Sequence, residues 1–411
     1  MALGLLKSAI AGATATHLPK RPALKPGYDV VIIGAGGHGM ATAYHLAHYH
    51  GIRRVAVLDK GYLGGGNTAR NTAVIRSNYL TEESVRFYRE SVRLFRELSN
   101  ELDYNILYEN RGQMTLAHSD SDLRSFRWRA EVNKELGVRS EVVDLAEVQR
   151  RIPHLNCEPN VHFPILGGLW HADGATARHD AVVWGYARAA CRLGVEFHPL
   201  TEVTGVEVKG GKVRAVETTR GRIACDTVVQ AVAGMSSEVA RLAGIDLPIH
   251  TYPLQAMVTQ PYKPILTPLV SSPRWHVYIQ QTSRGEFVIG GGSDPYPLYQ
   301  TRSTLELKEA LCSGITQLFP FLAEANILRQ WGGITDMTPD YSPIMGLSPV
   351  DNYYLDAGWG TWGFKATPIC GVTMAELVSS GQVPELIRPF ALERFYAFEQ
   401  INEAGATAAS H

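Results

Sequence analysis

At 411 residues the chain is too long for one small core and long enough for two domains. Hydrophobic residues make up 45%, charged residues 19%, and there are 39 glycines, which describes a turn-rich globular protein and excludes disordered and fibrous classes. With 39 basic against 40 acidic residues nothing favours nucleic acid or an anionic membrane, so partners are to be recognised by shape.

Residues 1–27 read as an extended arm, because "LPKRPALKPG" is basic and proline-rich and the apolar tract before it is interrupted by Lys7. No apolar run approaches the roughly 18 residues that span a bilayer. Cys157, Cys191, Cys225, Cys312 and Cys370 occur singly, without a CxxC, which argues against disulfides and zinc and suits a reducing cytoplasm.

"YDVVIIGAGGHGMATAYHLAHYHG" opens with a continuous β-branched run and passes through glycines into an alanine-rich segment: strand, turn, helix. Gly34, Gly36 and Gly39, with Gly37 and His38 between them, match GxGxxG. Side chains are missing where the turn is tightest, where a pyrophosphate approaches the backbone, and where helix packs on strand. A second strand, "RRVAVLDK", ends in Asp59 and Lys60; Asp59 lies 20 residues beyond Gly39, placed to accept from a ribose hydroxyl.

"GYLGGGNTARNTAVIRSNY" then follows without helical or strand periodicity, so Asn67, Thr68 and their neighbours are free to wrap a ligand. A nicotinamide enzyme would continue with another strand–helix alternation. Far along the chain "TRGRIACDTVVQAVAGMSS" and "NYYLDAGWGTWGFKATPICGVTMAELV" again run from strands into small residues. Three separated segments returning to one ligand indicate FAD, an elongated cofactor enclosed by both chain ends. Val203, Gly360, Gly363 and Lys365 complete the residues assigned to it.

Between these segments, "DSDLRSFRWRAEVNKELGVRSEVVDLAEVQRRIP" has helical periodicity and many charges, and is expected to cap a substrate domain. "HADGATARHDAVVWG" puts His179 between Arg178 and Asp180, where a glycine-containing loop becomes an apolar helix. From the residues alone His179 is a loop or helix-start histidine and Asp180 the N-cap. Short alternating segments such as "RWHVYIQQ" and "GEFVIGGG" read as strands of an open mixed sheet, with His276 and Tyr278 as candidate pocket residues.

"GGNTARNTAVIRSNY", "ATARHDAVVWGYARAA", "WGGITDMTPDYSPI", "GWGTWGFKATP" and "PFALERF", in that order, resemble the D-amino-acid oxidase type of flavoprotein over nearly the whole chain. Within its amine-oxidising branch they resemble the family of β subunits of bacterial heterotetrameric sarcosine oxidases. The resemblance implies an α/β fold, with a Rossmann-like FAD-binding domain of glutathione-reductase type from residues 28–112, 155–240 and 336–411. A second, α+β substrate domain on a mixed sheet would take residues 113–154 and 241–335.

The implied activity is oxidative demethylation of sarcosine to glycine, with electrons passing from FAD to covalent FMN and on to O2, giving H2O2. Formaldehyde would be released or captured by tetrahydrofolate. Arg76 and Lys365 match the family's carboxylate-binding pair, and His179 its FMN attachment point, with Arg70, Thr72 and Arg178 nearby. The implied partners are a large α subunit binding tetrahydrofolate and NAD, and small γ and δ subunits.

The chain departs from relatives with tethered FAD: Gly332 or Gly333 stands where monomeric sarcosine oxidases have a cysteine, and the loop after the second strand offers Asn67, Arg70 and Asn71 instead of a histidine. Non-covalent FAD is expected. Val288 stands where those enzymes place an oxygen-activating lysine, which weakens the case for oxygen chemistry at FAD. Two other readings stay open, a FAD/FMN dehydrogenase for proline or another N-substituted amino acid, and a flavin-binding structural subunit without turnover.

Overall fold

The computed structural model describes residues 22–403. Two eight-stranded sheets organise it. In the first, the apolar strand Gly27–Ile33 runs parallel between Gly221–Gln230 and Val55–Leu58, and Glu196–His198 extends the parallel edge. The antiparallel strands Val203–Lys209 and Lys212–Thr218 lead into Gly221–Gln230, which also carries Tyr353–Ala357 in parallel. Strand Gly27–Ile33 reads as continuous β-branched sequence because both its faces are covered.

Helices Gly37–Tyr49, Glu82–Glu101, His179–Arg192 and Gly363–Ser380 pack together over one face of this sheet. Thr81 caps the second of them through Ser84 N, and Gly381, at φ +70°, ends the last.

The second sheet is mixed and runs in the order Ile327–Met337, His250–Pro261, Glu286–Ser293, Val277–Gln281, Leu269–Ser272, Gln113–Ala117, Gly167–His171, Ser140–Asp144. Its apolar face packs under helices Leu145–Arg151 and Leu305–Leu318. Helix Asp120–Glu135 covers its Gln113–Ala117 end.

Three expectations need correction. Strand Gly167–His171, expected in the FAD-binding part, pairs on both sides with second-sheet strands, Gln113–Ala117 and Ser140–Asp144, so that sheet reaches past residue 155. The charged stretch expected to be helical throughout is helix, strand, helix: Gly137, at φ +72°, stops the first helix, and Ser140–Asp144 joins the sheet. Arg178, not Asp180, is the N-cap of helix His179–Arg192, and Asp180 sits within the first turn. Residues 1–21 of the expected arm lie outside the described residues.

Candidate active site

The glycine turn is shaped by contacts that no side chain survives. Gly34 has φ +107°, and a Cβ there would lie 2.2 Å from Ala231 O; one on Gly39 would lie 2.0 Å from Gly34 O. The turn delivers the N-terminus of helix Gly37–Tyr49, which has no side-chain cap and no acid in its first turn. Such an end attracts a phosphate. Asp59 braces the turn, with Oδ2 accepting from Ala35 N at 2.8 Å and Oδ1 from Gly61 N at 2.7 Å.

From this turn a cleft of about 960 Å³ runs between the two sheets. Gly34, Gly36, Gly37, His38, Asp59, Lys60, Asn67, Thr68, Val203, Gly360, Gly363 and Lys365 all line it. Gly39 does not line it, and serves the helix–strand contact instead. His38 Nδ1 lies 3.1 Å from both Asp356 oxygens and Nε2 lies 2.7 Å from Gly363 O. Both ring nitrogens therefore face acceptors and both carry protons. Burial works against that charge, but Asp356 wins and holds the imidazole above its usual range.

The far end of the cleft is cationic. Arg76, just after strand Val74–Ile75, is 6% exposed; its guanidinium stacks 4.3 Å from the Tyr79 ring centroid, and Nη1 donates to Asn78 O and Oδ1, each at 3.1 Å. Lys365, in the first turn of helix Gly363–Ser380, is 5% exposed and donates to Thr361 O at 3.3 Å. Burial and the Arg76 charge hold its ammonium well below the usual lysine range. Opposite ends of the chain thus bring two cations into one cavity, Arg76 and Lys365 both lining it.

Two further residues of the cleft were not identified from sequence. Arg129, on helix Asp120–Glu135, lines it and is 4% exposed. Asp336, in the "WGGITD" motif, also lines it; Oδ2 accepts from Gly358 N at 2.7 Å, while Oδ1 is buried with no partner among the described residues. Burial pushes that carboxyl up to about 6. Its open oxygen suits a hydroxyl donor of a bound cofactor.

The residues expected around FMN separate. Arg70 and Thr72 line the large cleft, the latter bonded to Tyr278 Oη at 2.9 Å, while Arg178 and His179 are not among its lining. His179 Nδ1 is buried without a partner among the described residues, and burial lowers its pKa. A neutral imidazole with an uncommitted nitrogen fits a covalent attachment point. Arg178 forks onto Asp180, with Nε–Oδ1 2.9 Å and Nη2–Oδ2 2.5 Å, so its guanidinium is already engaged. Of the two pocket candidates, Tyr278 lines the cleft and His276 does not. Gly333 lines the cleft where a tethering cysteine was considered, and a Cβ there would lie 3.3 Å from Asn67 Oδ1.

A strand–glycine turn–helix cradle opening into a cleft with a buried cationic end defines a dinucleotide-binding oxidoreductase with a place for an anionic substrate. Comparison with known proteins narrows the class. Residues 29–377 match the model of the FAD dependent oxidoreductase family. Sarcosine oxidase subunit beta of Arthrobacter sp is 44% identical over 95% of this chain and 96% of its own length, and that of Rhizobium meliloti (strain 1021) is 42% identical over 94% and 92%. Among solved structures, L-proline dehydrogenase from P. horikoshii superposes with a TM-score of 0.85 at 28% identity, covering 91% of this chain and 99% of that one. The chain belongs to the FAD dependent oxidoreductase family, in the group of sarcosine oxidase β subunits. It is a flavin-dependent amine oxidoreductase, and the names of its relatives mark them as parts of multi-subunit enzymes. No helix among the described residues is long and apolar enough to cross a membrane.

Proposed function

We propose that the chain is the substrate-oxidising subunit of a sarcosine oxidase. The carrying observation is the meeting of Arg76 and Lys365, buried, in the cleft that the glycine turn opens. FAD fits that cleft: the turn presents free helix amides, Asp59 stands at the second strand end, and Asp336 offers an open acceptor. Bound there, FAD supplies a two-electron acceptor for the amine carbon, and FMN on His179 would supply the exit to oxygen.

The protein's own part is positioning and charge. Arg76 gives a planar donor fork and Lys365 a point charge, so a carboxylate gripped by both has a defined orientation. The same cations disfavour a protonated nitrogen beside them, which keeps the substrate amine neutral and its lone pair available. Little else is required of the chain, since alignment supplies most of the acceleration.

His179 would carry FMN covalently, with Arg70, Thr72 and Arg178 as the nearby residues assigned to it. The assembly would comprise an α subunit binding tetrahydrofolate and NAD, together with γ and δ subunits. Acid-precipitated protein is expected to stay yellow, with the mass of one FMN on the peptide containing His179. A colourless pellet would remove the tether.

The likeness to L-proline dehydrogenase from P. horikoshii favours a second reading, dehydrogenation of proline with electrons delivered to a partner. Turnover of sarcosine and proline, measured side by side with peroxide detection, separates the two. Sarcosine turnover with stoichiometric peroxide supports the first reading, and proline turnover without peroxide replaces it with the second.

A further inference from the structure

We propose that Arg129 is a third carboxylate-binding cation, closing with Arg76 and Lys365 a pocket for one anionic head group and so selecting amino acids over neutral amines. The proposal rests on the amine-oxidase reading above and adds a residue that reading does not contain.

Helix Asp120–Glu135 turns one stripe inward, Phe126, Arg129, Ala130 and Asn133, and on this stripe Arg129 reaches the cleft. Its Nη2 donates to Asn78 O, the oxygen that also accepts from Arg76 Nη1, so the two guanidiniums flank a single carbonyl. Its Nε is buried and has no partner among the described residues. Glu403 acts on Arg129 electrostatically, but its carboxylate is held by Leu80 N, Thr81 N and the Thr81 hydroxyl. Burial, then the charge of Arg76, push the Arg129 guanidinium down to about 9.

Buried like charges without a dedicated counter-ion are costly, and removing them from a ligand-free site commonly stabilises the fold. An arrangement of this kind is relieved when an anion enters. A carboxylate has two oxygens and about four acceptor sites, sufficient for two guanidiniums and an ammonium. Arg129 lies on the second-sheet side and Lys365 on the first-sheet side, so a head group between them is held from both halves of the molecule.

The test uses betaine, a carboxylate whose quaternary nitrogen has no lone pair and cannot be oxidised, titrated against the FAD-loaded protein while the flavin absorbance is followed. Arg129→Met is expected to raise the betaine Kd at least tenfold, with FAD content unchanged and Tm unchanged or raised. Arg129→Lys should recover most of the affinity. An unchanged Kd in Arg129→Met overturns the proposal. So does a loss accompanied by lower FAD content and Tm that lysine leaves unrepaired, the mark of a purely structural arginine. If Arg76→Met binds betaine as the parent does, the amine-oxidase reading itself falls, and this proposal with it.

Discussion

Arg76→Met and Lys365→Met are each expected to lower kcat/KM for sarcosine by roughly ten- to hundredfold. The estimate follows from losing a charge-assisted hydrogen bond of about 1.5–3 kcal/mol, with each 1.4 kcal/mol worth a factor of ten. Both cations grip one carboxylate, so the double variant should lose less than the product of the single losses. Steady-state kinetics and anaerobic flavin bleaching measure this, and an unchanged KM in both single variants would leave the substrate without its clamp.

Stability should move the other way. Lys365 is buried beside Arg76, and its folded pKa lies below its unfolded value. Between those two values the unfolded chain binds more protons, so stability rises with pH through that window, and at neutral pH the residue is a net cost. Lys365→Met removes that slope, and thermal unfolding across the alkaline range detects it. A more stable, less active protein is the signature of a residue kept for the ligand.

The turn Gly34 to Gly39 was legible because its chemistry is local: glycines, a preceding β-branched strand and a following acid lie within one short segment. Arg76 and Lys365 were found only through resemblance, since nothing in their immediate sequence says that they meet. Arg129 was lost among the charges of "RSFRWRAEVNKE", which read as a solvated face. A signal was present: Phe126, Arg129, Ala130 and Asn133 fall at helical spacing, so an arginine and an asparagine occupy an otherwise apolar stripe. Strand Gly167–His171 was assigned to the wrong sheet because both its partners are distant in sequence, and a five-residue run carries no sign of which sheet will hydrogen-bond it.

Gly39→Ala is expected to give a folded protein that loses FAD on purification, with cofactor affinity reduced roughly 100-fold for a local strain of about 3 kcal/mol. The added methyl would stand 2.0 Å from Gly34 O and 3.2 Å from Ile32 Cγ2, both part of the turn that the cofactor must approach. Relief requires the helix to move away from the strand, and its free amides move with it. Gly34→Ala should act alike, because its Cβ would lie 2.2 Å from Ala231 O at a backbone angle that L residues rarely adopt. Gly205→Ala serves as the control, since its nearest contact is 3.4 Å away on a strand remote from the turn. Absorbance of the purified proteins reads the outcome without turnover: full flavin content in Gly39→Ala would mean that the cofactor does not rest on this turn, and the cationic end of the cleft would then have no acceptor beside it.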